Sequence, residues 1–418
     1  MSVSTKALTT LKEIRLLKEI SQKRIKQIQQ SQTRSANNNE QMVRTYSKAE
    51  AQAWLGVPHP NTLTRLIGAV QQGDEGKVFQ REENGHYRFT IEDLHFFADK
   101  LEVPRFDRTA SQEVQVFTTA NLKGGVGKTT SAVNLATGLA VANNKRYRVG
   151  FIDLDPQGTG SIFGCPGLSD DDFTVGELLQ GKYELDEGEN EKEFIRSCFL
   201  PTHIPNLHYL PGRVSDFFFE SYAEQLQLAA PEDQKLDVYR ILHEKIIDAV
   251  KDDFDIILID TAPSLNKAFY NAIYAATSVI LPMIPEFISF DATLKYLARF
   301  EEIYAIAAKA GHPGLDYIRL LVTNFDSAGA SNASTVHRTY VQDLKTLFGV
   351  RVFPYAIRHT KAIPICADFM MTVFDMKPSE YPKSRKQLLN AVENLTDVVS
   401  EIESLCLQVW LNPAENQA

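Results

Sequence analysis

The run Asn-Leu-Lys-Gly-Gly-Val-Gly-Lys-Thr-Thr at residues 121–130 joins backbone freedom to positive charge and hydroxyl oxygens. Gly124, Gly125 and Gly127 let successive N–H groups come close to phosphate oxygens, with Val126 and Thr130 in the same cradle. Lys128 is placed to neutralise β- and γ-phosphates, and the Thr129 hydroxyl to meet Mg²⁺. Acids follow at chemically useful places. Asp153 and Asp155 lie 25 and 27 residues after Lys128, and Asp260 closes a second apolar run. Glycines, lysines and carboxylates in this order point to a phosphate ester held with a metal ion.

Such groups work only if secondary structure aims them. Glu113 to Ala120 is β-rich and enters the glycine loop directly, and Ser131 to Ala142 is helix-forming, so strand, loop and helix succeed one another as a phosphate loop requires. Tyr147-Arg-Val-Gly-Phe-Ile-Asp and Phe254-Asp-Ile-Ile-Leu-Ile-Asp read as buried strands that end in acids. Three more short apolar runs begin at Asn206, Ser278 and Ile318. Strands of this kind, separated by helical or loop sequence, predict an α/β fold: a mostly parallel, doubly wound P-loop sheet with ligand at the carboxyl ends of its strands.

Composition narrows the class. With 418 residues, 44% hydrophobic and 23% charged, the chain can bury more than one core. Cys165, Cys198, Cys366 and Cys406 stand far apart without a C-x-x-C pair, which argues against a disulfide framework or zinc site. No apolar run reaches the ~18 residues of a membrane span, and no signal-peptide core opens the chain, so a cytoplasmic location is expected. The net charge of -9 is uneven: residues 1–110 carry +4 and the remainder -13. A basic piece ahead of an acidic body suits a nucleic-acid contact region, although solvated surface charge gives the same balance.

That basic piece has its own organisation. From Leu8 to about Gln30 the apolar residues recur at helical spacing, predicting an amphipathic helix within 1–34 that packs on a second copy or folds back on the body. Residues 35–44 continue an Asn-rich stretch expected to be a linker. Within 45–106, Ser47 can cap a first helix, Gly56 can end it, and a second helix is expected from about His59 to Val70. Lys77-Val-Phe, the Asn84-Gly85 turn and Tyr87-Arg-Phe-Thr then read as a hairpin. This is helix-turn-helix logic with a wing, and Asn61, Thr62, Thr64 and Arg65 are the residue types that meet phosphates and base edges. A structural adaptor is the alternative. Residues 107–418 form the P-loop domain.

The spelling Lys-Gly-Gly-x-Gly-Lys-Thr resembles the deviant Walker A loop of the ParA/MinD family of P-loop ATPases, and the resemblance covers about residues 110–410. It implies ATP, ADP and Mg²⁺ as ligands, and a homodimer in which Lys123 reaches the partner's nucleotide. It implies further that Asp153 sits near Mg²⁺ through water, Asp155 beside the attacking water and Gln157 in a switch loop. Asp260 would hold the metal indirectly, and Thr261 to Ser264 would begin a second switch. Asn324 and Tyr355 take the base-contacting positions, although Pro354-Tyr-Ala-Ile-Arg departs from the family's usual Pro-Arg-Asn. The cysteines do not match an iron-sulfur branch, and 394–411 carries no Lys or Arg for a membrane-targeting helix.

What remains resembles a larger ParA-type DNA-partition ATPase carrying an N-terminal winged helix-turn-helix. The resemblance implies an ATP-bound dimer on nonspecific nucleoid DNA, with Arg358 and Lys361 among the candidate cations, and hydrolysis stimulated by a ParB-like centromere-binding protein. It also implies an operator bound by the N-terminal domain, and no membrane partner. The competing readings are an ATP-liganded transcription regulator and a positioning ATPase for protein cargo.

Overall fold

The computed structural model describes residues 12–24, 27, 42–57, 59–72, 77–82, 84–326 and 332–411. Residues 12–24 are helical, with Ile14, Leu16, Leu17 and Ile20 more than half exposed. The rest of the expected N-terminal helix, apart from residue 27, and most of the linker lie outside the described residues. Residues 42–44 correct the linker reading: Val43 bridges Met376, and the Arg44 amide donates to the Asp375 carbonyl at 2.6 Å. The chain is already pinned to the body there.

The next helix, Lys48–Leu55, starts where its capping residues dictate: Ser47 and Glu50 bond reciprocally, and Gly56 ends the helix at φ 64, a left-handed conformation that glycine adopts without a side-chain clash. Helix Pro60–Gln72 follows. The hairpin strands are β1 (Gln80–Arg81) and β2 (Tyr87–Arg88), antiparallel, and helix Ile91–Lys100 closes the unit. Lys77–Phe79 is not part of the ribbon as the sequence suggested. Phe79 is instead buried against Phe89 and Phe97, because an aromatic core stabilises more than a longer exposed ribbon.

The body is one seven-stranded sheet in the order β5-β6-β4-β7-β3-β8-β9. Its strands are β3 (Gln115–Thr119), β4 (Val149–Asp153), β5 (Leu200–Pro201), β6 (Leu207–Leu210), β7 (Ile256–Asp260), β8 (Ser278–Met283) and β9 (Tyr317–Val322). Every pair is parallel except β5 with β6, an antiparallel edge that the sequence did not announce. All residues of β3, β4, β7 and β8 are buried, as expected of strands covered on both faces.

Helix Lys128–Val141 lies on one face against the long helix Arg385–Leu411. The approach is close enough that a Cβ on Gly138 would stand 2.5 Å from Val399 Cγ2. The N-terminal unit shares this core: Trp54 Nε1 donates to the Val141 carbonyl at 2.9 Å, and Arg146 pairs with Asp99 at 2.5 Å.

Candidate functional site

The parallel register sets three side chains in a row at the carboxyl edge of the sheet, with Thr119 opposite Asp260 and Asp260 opposite Asp153. The loop after β3 crosses this edge. Asn121 anchors its start, donating to the Pro282 carbonyl at 2.9 Å and accepting from the Lys123 amide at 3.0 Å. Gly125 and Gly127 adopt φ 75 and 85, which only glycine takes cheaply, and a Cβ on Gly124 or Gly125 would meet nothing within 4 Å. Helix Lys128–Val141 then begins at Gly127 with no side-chain cap, so its first N–H groups are open to an anion.

Lys128 is buried at the base of this loop, with Nζ 3.4 Å from the Lys123 carbonyl. Burial lowers its pKa, and the charges of Asp260 and Asp155 oppose that shift. Asp260 Oδ1 accepts from Thr119 Oγ1 at 3.1 Å and the Thr129 hydroxyl also bonds this carboxylate, yet Oδ2 is buried without a partner. Asp153 Oδ2 accepts from both the amide and the hydroxyl of Ser161 at 2.7 Å, and Asp155 Oδ1 accepts from the Gln157 amide at 2.9 Å. Burial raises the pKa of both Asp153 and Asp260, with the charge of Asp260 adding to the first shift and that of Asp155 to the second. Two buried acids beside an orphaned oxygen and a hydroxyl make a donor set that suits a hard divalent cation. The residues therefore fit both a polyphosphate and Mg²⁺.

Sequence reasoning missed several neighbours. Thr323 Oγ1 donates to the Val126 carbonyl at 2.8 Å, fixing the loop to the end of β9. Asn324 is next, at φ 53, with Oδ1 2.6 Å from His359 Nδ1. Ser161 and His359 carry no local signal, because both meet the site through tertiary contacts. Tyr355 is half-exposed, and Arg358 and Lys361 are exposed on the same stretch. No side-chain bond ties Tyr355, Arg358 or Lys361 to the glycine loop among the described residues. Lys123 is partly exposed, and its side chain has no partner among the described residues.

A second candidate surface lies on helix Pro60–Gln72. Leu63 and Ile67 are buried inward, leaving Asn61, Thr64 and Arg65 exposed and Thr62 half-buried. Lys48 bonds the Thr64 hydroxyl, and Arg81 stacks on Tyr87 in the adjoining ribbon, 4.2 Å from the ring centroid. The exposed row thus adjoins two further cations.

Residues 114–309 match a family described as AAA domain. Plasmid partition protein A of Escherichia coli is 26% identical over 338 residues, covering 79% of this chain and 82% of its own. The chromosome-partitioning ATPase Soj of Treponema pallidum (strain Nichols) is 30% identical over 233 residues, 56% of this chain and 78% of its own. Among solved structures, a partition protein matches with a TM-score of 0.63 at 20% identity, covering 89% of this chain and 96% of its own. Cobyrinic acid a,c-diamide synthase from Mycobacterium smegmatis, with bound ATP analog and magnesium, matches at 0.51 and 21% identity over 72% of this chain and 97% of its own.

Proposed function

This chain belongs to the ParA-type family of DNA-partition ATPases, and on that premise we propose that it hydrolyses ATP as a switch that segregates a plasmid or chromosome. The observation that carries the reading is the row Asp153, Asp260 and Thr119 set against a glycine loop with buried Lys128. Gly124, Val126, Gly127 and Thr130 would frame the phosphates through backbone N–H groups, and Lys128 would neutralise their oxygens. Thr129 and Asp260, with Asp153 through water, would hold Mg²⁺, which supplies charge neutralisation at the phosphates when bound. Asp155 would orient the attacking water and accept its proton. Asn324, held by His359, would face the base with Tyr355 nearby.

Lys123 has a side chain without a partner in its own chain, among the described residues, which supports a role across a homodimer. The ATP-bound dimer would use exposed cations such as Arg358 and Lys361 on nonspecific nucleoid DNA. A ParB-like protein would stimulate hydrolysis and release, and helix Pro60–Gln72 would read an operator through Asn61, Thr62, Thr64 and Arg65 to repress the partition operon. No helix of the described residues is long and apolar enough to cross a membrane.

The test is ATP turnover of the full chain alone, with nonspecific DNA, with a ParB-like centromere-binding protein, and with both. Slow basal turnover that rises severalfold with the pair is expected. A rate indifferent to both would favour an ATP-liganded transcription regulator, whose Lys128→Ala variant would lose repression and leave segregation intact.

A further inference from the structure

Asp153 ends β4 wholly buried, and the hydrogens its side chain accepts among the described residues come from the loop that follows. Oδ1 accepts from the Asp155 amide at 3.3 Å, and Oδ2 from the Ser161 amide and hydroxyl, each at 2.7 Å. One carboxylate thus grips both ends of residues 154–160, the segment that carries Asp155 and Gln157. The Ser161 bonds have the short length of charge-assisted contacts, and Ser161 is itself buried where it begins helix Ser161–Gly164.

The hydroxyl has no choice of partner here. Its oxygen accepts from the Gly212 amide at 2.9 Å, so its hydrogen goes to Asp153. Gly212 lies in the turn after β6, which runs against the loop backbone to backbone. A Cβ on Gly212 would run into the Asp153 carbonyl oxygen, and one on Gly158, at φ 62, would stand 2.7 Å from the Gly212 carbonyl oxygen. Ser161 therefore joins three segments: the end of β4, the close of the loop and the turn after β6.

Inside the loop, the Gly158 amide donates to the Asp155 carbonyl at 2.8 Å and the Gln157 amide to Asp155 Oδ1 at 2.9 Å. These bonds wrap a tight turn around Asp155, which is half-buried and so still reachable by water. No hydrogen bond joins residues 154–161 to residues 121–130 among the described residues. The contacts that hold the glycine cradle and those that place Asp155 are separate.

We propose that Ser161 is a positioning residue for hydrolysis: through Asp153 it clamps residues 154–160 and fixes where Asp155 meets the attacking water. The proposal rests on the reading that Asp155 orients that water. Removing the hydroxyl leaves the Gly212 amide without its acceptor and Asp153 Oδ2 with one donor in place of two, so open states of the loop gain population while the glycine cradle is untouched. Chemistry then suffers more than binding, because misplacing a reacting group by about 1 Å can cost roughly 10²-fold in rate.

The test compares the full chain with its Ser161→Ala, Ser161→Thr and Asp155→Ala variants. Ser161→Ala should slow single-turnover ATP hydrolysis about tenfold, while ATP affinity measured by calorimetry with Mg²⁺ stays within about twofold. In the same variant the amides of residues 157–160 should exchange with deuterium about tenfold faster, and those of helix Lys128–Val141 at their former rate. Ser161→Thr keeps the hydroxyl and should restore both. In an Asp155→Ala background, Ser161→Ala should slow hydrolysis no further, because the loop no longer carries the group it positions. Unaltered exchange in Ser161→Ala would overturn the clamp. An unaltered rate, an equal loss of ATP affinity, or a loss additive with that of Asp155→Ala would overturn the positioning role alone. Hydrolysis by Asp155→Ala at the rate of the unaltered chain would remove the reading of Asp155, and the proposal with it.

Discussion

Asp153 and Asp260 stand wholly buried beside a buried lysine, whereas Asn61, Thr64 and Arg65 are exposed on a surface helix. At the first site the protein has already taken charge out of water and aimed it, at a cost in stability that a ligand's opposite charge offsets. At the second, water competes for every exposed group, so each side chain would contribute modestly to the proposed DNA contact. Single substitutions should therefore act strongly and pH-dependently in one region, and weakly and salt-dependently in the other.

The largest effect expected is that of Lys128→Ala, which should lower ATP turnover by roughly 10²–10³-fold, read as steady-state phosphate release. Next is Asp260→Asn. Folding raises this carboxyl's pKa, so between the unfolded value near 4 and the higher folded value the native state holds the extra proton. Stability of the ligand-free protein then falls as pH climbs through that window, and the acid is a net cost above it. Asp260→Asn should thus stabilise the ligand-free chain by roughly 1–3 kcal/mol at pH 8, with the gain shrinking toward pH 4 in denaturant titrations, while turnover is lost. A gain independent of pH would contradict the buried-charge account.

Gly127→Ala should act through the backbone alone, because the nearest atoms to its Cβ would be those of Thr323 at 3.7 Å, an ordinary contact. At φ 85 the strain should cost about 1–2 kcal/mol, visible as a lower Tm and weaker ATP binding. The smallest effect is that of Arg65→Ala. Operator affinity should fall about tenfold with DNA-free ATP turnover unchanged. Titration against salt then sharpens the comparison: a slope smaller by about one assigns Arg65 to a phosphate, and an unchanged slope to a base edge.

Legibility in the sequence followed the same divide. The acid-terminated strands β4 and β7 were readable because burial on both faces demands an unbroken apolar run, and the glycine loop because its conformation demands glycine at fixed places. β5 was not, since Leu200–Pro201 makes two residues of edge pairing around a proline that ordinarily argues against a strand. The contacts that tune the site were hidden as well. Thr323 reaches Val126 across 197 positions and His359 reaches Asn324 across 35, with no local pattern to mark either. The docking of the N-terminal unit was equally invisible, because it runs through scattered long-range contacts such as Trp54 to Val141, Arg146 to Asp99 and Val43 to Met376.

The most direct measurement is calorimetric titration of the full chain with ATP, with and without Mg²⁺, beside Lys128→Ala. The account predicts one saturable site per chain, weakened when the metal is withheld and abolished or strongly reduced in the variant. Binding of equal strength in both proteins, or none in either, would contradict it.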